Sequence, residues 1–287
     1  MVLLVGALLL SLVACGDAGN ENGTINDFND LLEQIQEQGK ENASVEMKEY
    51  VLAGEGDFSY EETENGVKIT GYTGTETFLQ IPDKIGGKPV TSIGDNCFAL
   101  HPLVAVKLPD SVQEIGFNAF QYATNLVKVE LGSGLRVIRD SAFEGCVALT
   151  EIELPDGLEH IGRRAFGWAP IKEIRIPETV TFLSSGAFIL NSALETITVP
   201  GSVGVLNRQV FSTCSSLREV YLSEGITTIE YGAFEDCASL EKVHFPASCT
   251  DISTAAFSAS KGFVLCGPAG SAVEEYADLL DYSFEAE

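Results

Sequence analysis

Residues 126–143 read LVKVELGSGLRVIRDSAF, and residues 149–166 read LTEIELPDGLEHIGRRAF. The stretches agree at Leu126 and Leu149, Val129 and Ile152, Leu131 and Leu154, Leu135 and Leu158, Ile138 and Ile161, and Phe143 and Phe166. The offset at each of these positions is 23 residues. Self-similarity at a fixed period in the twenties is the mark of a solenoid built from stacked coils. The opening L-x-x-L-x-L of each stretch is the strand segment of a leucine-rich repeat, with Val129 and Leu131 facing in and Lys128 and Glu130 facing out.

Working outward, the phenylalanine recurs eight times, at Phe98, Phe120, Phe143, Phe166, Phe188, Phe211, Phe234 and Phe257. Five residues before each stands Ile or Leu, from Ile93 to Ile252. Three residues further back stands Val, Leu or Ile, with Cys249 as the exception. The reading is a leucine-rich-repeat solenoid, mainly β with short helical turns, of about eight coils of 22–23 residues. In each coil the V-x-x-I-G stretch makes a second short strand. The A-F stretch makes a tight turn or short helix whose Phe fills the interior. Pro82, Pro109, Pro155, Pro177, Pro200 and Pro246 close the first strand, because proline has no N–H to continue a ladder. No coil can bury its own apolar face, so stability is expected to come from neighbouring coils.

The ends read as caps. Asn65-Gly66, between Phe58/Tyr60 and Val67/Ile69, signals a hairpin. Ser271 with Glu274 reads as a capping box opening a helix whose face is Val273, Tyr276, Ala277 and Leu280. The organisation is therefore a capping hairpin at 58–80, a solenoid at 81–266 and a C-terminal cap at 267–287.

The composite pattern I-P-x-x-V-x-x-I-G-x-x-A-F-x-x-C resembles the BspA-like leucine-rich-repeat family over about residues 58–287. Phe58-Ser59-Tyr60, Gly71-Tyr72-Thr73-Gly74 and the run from Ile81 to Val90 look like that family's first coil. The resemblance implies a bacterial surface protein, with adhesion as the role of several members and no defining enzymatic activity. Two features depart from ordinary leucine-rich repeats. The Asn ladder is replaced by Pro and Val, and Gly132 and Ser223 stand where Pro is expected.

Upstream, Val2 to Val13 is an apolar run too short to span a bilayer, which needs about 20 residues, but of the size of a signal-peptide core. Leu12-Val13-Ala14-Cys15 follows and resembles the lipobox of bacterial lipoproteins, in which the Cys is diacylated. That resemblance implies a leader at 1–14, a lipid on Cys15 and an exported chain held to the membrane, facing the cell exterior. No Lys or Arg precedes the run, which suggests a start truncated or displaced to an internal methionine. Residues 15–57 read as an acidic tether. Within it Phe28, Leu31, Leu32 and Ile35 mark one face of a short helix over 26–38.

The chain carries 42 acidic and 17 basic side chains, a net charge of -25. Such a balance excludes a nucleic-acid partner and docking on anionic lipid through a basic face. Residues 16–80 hold 15 acidic and 3 basic side chains, so the charge is densest beside the leader, as in a solvated tether. Neither H-E-x-x-H, G-x-S-x-G, a P-loop nor C-x-x-C occurs, so no catalytic residue, cofactor or metal is assigned. Cys146, Cys214 and Cys237 share one repeat position, read as a small buried one, and a Cys214–Cys237 disulfide between coils stays open.

The outward strand positions offer the candidate binding face. One column runs Lys107, Glu130, Glu153, Arg175, Thr198, Tyr221, His244, and its neighbour runs Ala105, Lys128, Glu151, Glu173, Thr196, Glu219, Lys242. Arg175, Tyr221, His244, Lys128 and Glu153 are the candidate ligand contacts, because Arg and Tyr anchor interfaces. Alternating charge that merely solubilises the sheet is the bland alternative. Trp168 is read as filling core. The expected function is a monomeric surface module that binds an extracellular protein or glycan without catalysis. Its rivals are a structural envelope protein acting by self-association and, less favoured, a hydrolase of wall or host polymers.

Overall fold

A computed structural model describes residues 46–287. Cys15, the leader 1–14 and the helix read over 26–38 lie outside the described residues. The chain forms a mainly β solenoid of about ten turns, ending in one short helix. The eight Phe coils therefore do not account for every turn; the remainder come from the two ends.

Each coil contributes to two parallel ladders. In the first, Val51–Leu52, Phe78–Gln80, Ala105–Lys107 and Lys128–Glu130 pair in that order. The ladder resumes at Thr196–Val199 and continues through Glu219–Leu222, Lys242–His244, Val264–Gly267 and Ser283–Ala286. Between the two parts, the only pairing among the described residues is an isolated bridge from Glu151 to Glu173. The second ladder comprises the V-x-x-I-G strands from Lys88–Ile93 to Phe182–Leu183, and resumes at Val205–Leu206. At that break Asn207 Nδ2 donates to the Leu183 carbonyl at 2.7 Å.

Side chains alternate as a half-buried strand requires: Val129 is buried while Lys128 is exposed. The glycine after the second strand is explained by close stacking. A Cβ on Gly162 would lie 2.5 Å from the backbone of Arg139 and Asp140 in the preceding coil.

The A-F segment is a turn with two residues in the left-handed region, not a helix. In coil after coil they stand two positions before and two after Phe: Ser141 (φ 56°) and Gly145 (φ 73°), Arg164 (φ 52°) and Trp168 (φ 63°). Left-handed backbone costs a non-glycine residue about 1 kcal/mol. Here it aims alternate N–H groups along the solenoid axis. Ser141 N donates to Arg163 O at 2.8 Å, Phe143 N to Ala165 O at 2.8 Å, and Gly145 N to Gly167 O at 2.9 Å. The turns thus form a third ladder, and it has no break: Phe166 N reaches Ala187 O and Phe188 N reaches Val210 O, both at 2.9 Å.

Inside this ladder the eight phenylalanines, all at most 1% exposed, stack in a single column. Neighbouring centroids run from 5.1 Å (Phe98–Phe120) to 5.7 Å (Phe211–Phe234), with planes within 11° of parallel. Parallel rings so spaced are offset, the geometry favoured over a face-to-face sandwich.

The ends differ in detail from the sequence reading. Val51–Leu52 already joins the first ladder, so packed chain begins ahead of residue 58. Phe58–Thr63 and Gly66–Tyr72 form the hairpin; Glu64 and Asn65 make its turn, and Gly66 begins the returning strand. The helix α1, Ala272–Leu280, buries Val273, Tyr276 and Ala277 over the last Phe coil, and Tyr276 Oη donates to Ser253 O at 3.1 Å. The capping box read from the sequence does not form. The Ser271 side chain caps nothing, whereas the Glu274 carboxylate accepts the Gly270 N–H. Beyond α1 the chain returns as Ser283–Ala286, so the cap also adds a strand to the first ladder.

Removing one ring from the column leaves a void that stacked backbones cannot close. Phe166→Ala is expected to cost about 3–5 kcal/mol, read as a lowered denaturant midpoint. A midpoint equal to wild type would refute the role given to the column.

Candidate functional site

The first ladder presents its outward side chains on one continuous face, except where the ladder breaks. There the chain leaves an open groove of about 710 Å³. Buried Ile152, Leu154 and Ile176 belong to its floor; exposed Glu153, Glu173, Arg175, Glu178, Thr196 and Thr198 rim it. The cause is local. Residues 151–154 and 173–176 share a single bridge, so the strands there are not drawn into register with their neighbours.

Among the described residues, Arg175 is the only cation lining this groove. Its Nη1 donates to Asp156 at 2.7 Å, with the arginine side chain 70% exposed. One bond leaves most of the five-donor fork directed at solvent. An exposed pair of this kind adds little stability, typically under about 1 kcal/mol. The groove therefore combines an apolar floor, three carboxylates, two threonine hydroxyls and one guanidinium with free donors.

The other candidates sit apart. Lys128 lies on the near side of the break, where Lys128 and Lys107 both pair with Glu130, at 2.9 and 3.3 Å. These hydrogen bonds, that from Lys128 first, hold the Glu130 carboxyl below its ordinary range. Ala105, placed on the outward column by the repeat, is fully buried. Thr198 and Tyr221 are register partners, as are Tyr221 and His244. At a ladder spacing of about 4.8 Å, Tyr221 stands some two strands beyond Arg175.

Around His244 the face becomes a connected cluster. The Tyr221 ring stacks on the imidazole with centroids 4.4 Å apart and planes at 9°. His244 Nε2 faces Glu219 Oε1 at 3.2 Å, and Nδ1 faces Glu287 Oε1 and Oε2 at 3.1 Å. Hydrogen bonding from Tyr221, and then from His244, keeps the Glu219 carboxyl below its ordinary range. Lys242 pairs with Glu285 at 2.8 Å, which raises the lysine and lowers the carboxyl. Cys266 is the register partner of His244 and is buried, yet it is no part of the interior core. The sequence reading passed over Cys266 and Glu287. The available signal was that Cys266 occupies the repeat position of His244, one coil on.

The interior cysteines behave differently. Cys97, Cys146, Cys214, Cys237, Cys249 and Cys266 are all free thiols, so no Cys214–Cys237 bond forms. Cys146, Cys214 and Cys237 each donate Sγ–H to the Phe carbonyl of the preceding coil, at 3.2, 3.3 and 3.2 Å. Ser260 repeats the bond with Oγ, to Phe234 O at 2.7 Å. Burial pushes the Cys237 thiol up to about 12 and also raises the Cys214 thiol well above its ordinary range. Trp168 is half-buried and sits outside the core, its ring 6.4 Å from that of Tyr122. Trp168 thus fills no part of the main core; it is half-buried beside it with its indole Nε1 shielded, while Tyr122, at the same repeat position, is buried.

A repeated coil with two strand ladders and a turn ladder defines the class as a leucine-rich-repeat solenoid. The chain belongs to the BspA type leucine rich repeat region family, whose model matches in six copies over residues 91–203 and 136–263. Among solved structures it is similar to a leucine rich repeat protein of T. pallidum, at 26% identity and TM-score 0.53, covering 82% of this chain and 98% of that one. A leucine-rich repeat protein from Bacteroides ovatus is 22% identical with TM-score 0.56, covering 76% and 71%. A leucine rich cell surface protein from Faecalibacterium prausnitzii is 24% identical with TM-score 0.51, covering 75% and 76%. A comparison with curated proteins returns no match.

The thiol ladder makes a direct prediction. In the native protein Cys146, Cys214 and Cys237 should resist a thiol reagent at pH 8 and label fully once unfolded. A mass shift showing a 214–237 bond, or rapid native labelling of the three, would contradict the structure.

Proposed function

We propose that this protein is a lipid-anchored surface module that binds an extracellular protein or glycan on its strand face, without catalysis and as a monomer. The observation that carries the reading is the groove at the ladder break, where Arg175 extends free donors above an apolar floor. Solenoids use such extended faces for recognition. Carboxylates at Glu153, Glu173 and Glu178 suit ligand hydroxyls or cations, and Arg175 supplies the complementary donor. The chemical groups for recognition are thus gathered where strand pairing is weakest. Family membership and the lipobox-like Cys15 support a place at the cell surface, with the acyl chains contributing about 0.8 kcal/mol per buried methylene.

The test is binding of the full chain, in mild detergent, to arrays of matrix proteins, mucins and wall glycans. Two variants run beside it: Arg175→Ala, and Thr198→Arg to fill the groove. A saturable partner is expected, weakened about tenfold or more by either change. A blank array together with concentration-dependent oligomers would instead favour a structural envelope protein. For the anchor, Cys15→Ser is expected to move the expressed protein from the detergent phase to the aqueous phase of a phase-separation assay; unchanged partitioning would remove the lipid from the reading.

A further inference from the structure

We infer that His244, Cys266 and Glu287 form a binding site for a zinc-class divalent cation on the outer face of the last coils. The groove reading plays no part in this argument. The three side chains each offer one ligand atom, and these atoms all lie within 4.8 Å of one another. A tetrahedral zinc ion places nitrogen and oxygen ligands about 3.3 Å apart, and nitrogen and sulfur ligands about 3.6 Å apart. His244 Nδ1 already stands 3.1 Å from the Glu287 carboxylate. Glu287 is half exposed and free to adjust, while Cys266 and His244 are held by their strands.

The surroundings match what a metal-bound histidine requires. Glu219 holds Nε2 at 3.2 Å, which leaves Nδ1 for the ion and sets the ring's orientation. The Tyr221 ring, stacked at 4.4 Å, fixes the imidazole plane. Lys242 is engaged by Glu285 at 2.8 Å, so the nearest cation is drawn to a different carboxylate. Cys266 also differs from the other five described cysteines. They lie in the interior core, whereas its sulfur is buried beneath the outer face. Thiolate, imidazole and carboxylate together select a borderline-soft ion over calcium or magnesium. Binding exchanges the Cys266 thiol proton, released to solvent, for a bond to the metal. Three protein ligands leave the fourth position for water or for a donor from a binding partner.

The probe is cobalt(II) added to the chelator-treated full chain in mild detergent, followed by displacement with zinc. One equivalent is expected to give thiolate-to-cobalt absorption in the near ultraviolet and the visible bands of a tetrahedral ion. Cys266→Ala should abolish the former, and His244→Gln should weaken binding at least as strongly as any other single change. Cys15→Ala and Cys237→Ala should leave the spectrum unchanged. Glu219→Gln, a positioning change, should keep the spectrum but raise the Kd about 10–100-fold. Melting curves recorded without metal identify any variant that fails to fold; should Cys266→Ala fail, the His244→Gln titration decides. No thiolate band at one equivalent, or a band that survives Cys266→Ala in a folded protein, would overturn the site.

Discussion

The axial hydrogen bonds of the Phe turns are the constraint on which the rest of the structure depends. Both strand ladders are interrupted once, between Lys128–Glu130 and Thr196–Val199 and between Phe182–Leu183 and Val205–Leu206. The turn ladder crosses both gaps without a missing bond, from Phe98 N–Ala119 O to Phe234 N–Ala256 O. Backbone in the left-handed region is the means, because within these tight turns it aims alternate N–H groups at the next coil. The stacked rings beneath make that conformation worth its strain: a coil that relaxed its turn would withdraw a fully buried Phe from its neighbours.

A solenoid held along its turns can leave its strand face irregular. The groove beside Arg175 exists because residues 151–154 and 173–176 are kept at coil spacing by Phe143, Phe166 and Phe188, and need not be fully paired themselves. The regular ring column and the irregular strand face thereby lie on different sides of the coil. The Phe side is invariant in geometry. The strand side varies from coil to coil in charge, from the Lys107–Glu130–Lys128 network to the Tyr221–His244 stack.

The last coils carry the densest side-chain chemistry because the chain returns there. Ser283–Ala286 adds a strand beside Val264–Gly267 and brings Glu285 and Glu287 over a face that otherwise ends at Cys266. The same strand that shields the edge of the sheet thus gathers thiol, imidazole and carboxylate. In the interior, by contrast, Cys146, Cys214 and Cys237 serve as small donors to the Phe carbonyls, a task Ser260 performs equally well.

Periodicity made the coil legible without coordinates. Eight phenylalanines at 22–23-residue intervals, with Ile or Leu five places before each, specify a repeating unit whose apolar positions must face one interior. The two strands per coil and the membership of Arg175, Tyr221 and His244 in one outward column follow from the same spacing. What periodicity does not encode is departure from the repeat. The ladder breaks, the absent capping box at Ser271, the half-buried Trp168 and the buried Ala105 arise from how neighbouring coils meet, and each coil reads alike until it is stacked. The juxtaposition of Cys266 with Glu287 likewise depends on the chain reversing after α1, a contact between segments 21 residues apart that only the folded return strand creates. The sequence by itself determined the coil, its core and its period, because those are local and repeated. The tertiary structure decided the groove and the cluster, because each forms where the repeat is interrupted or ends.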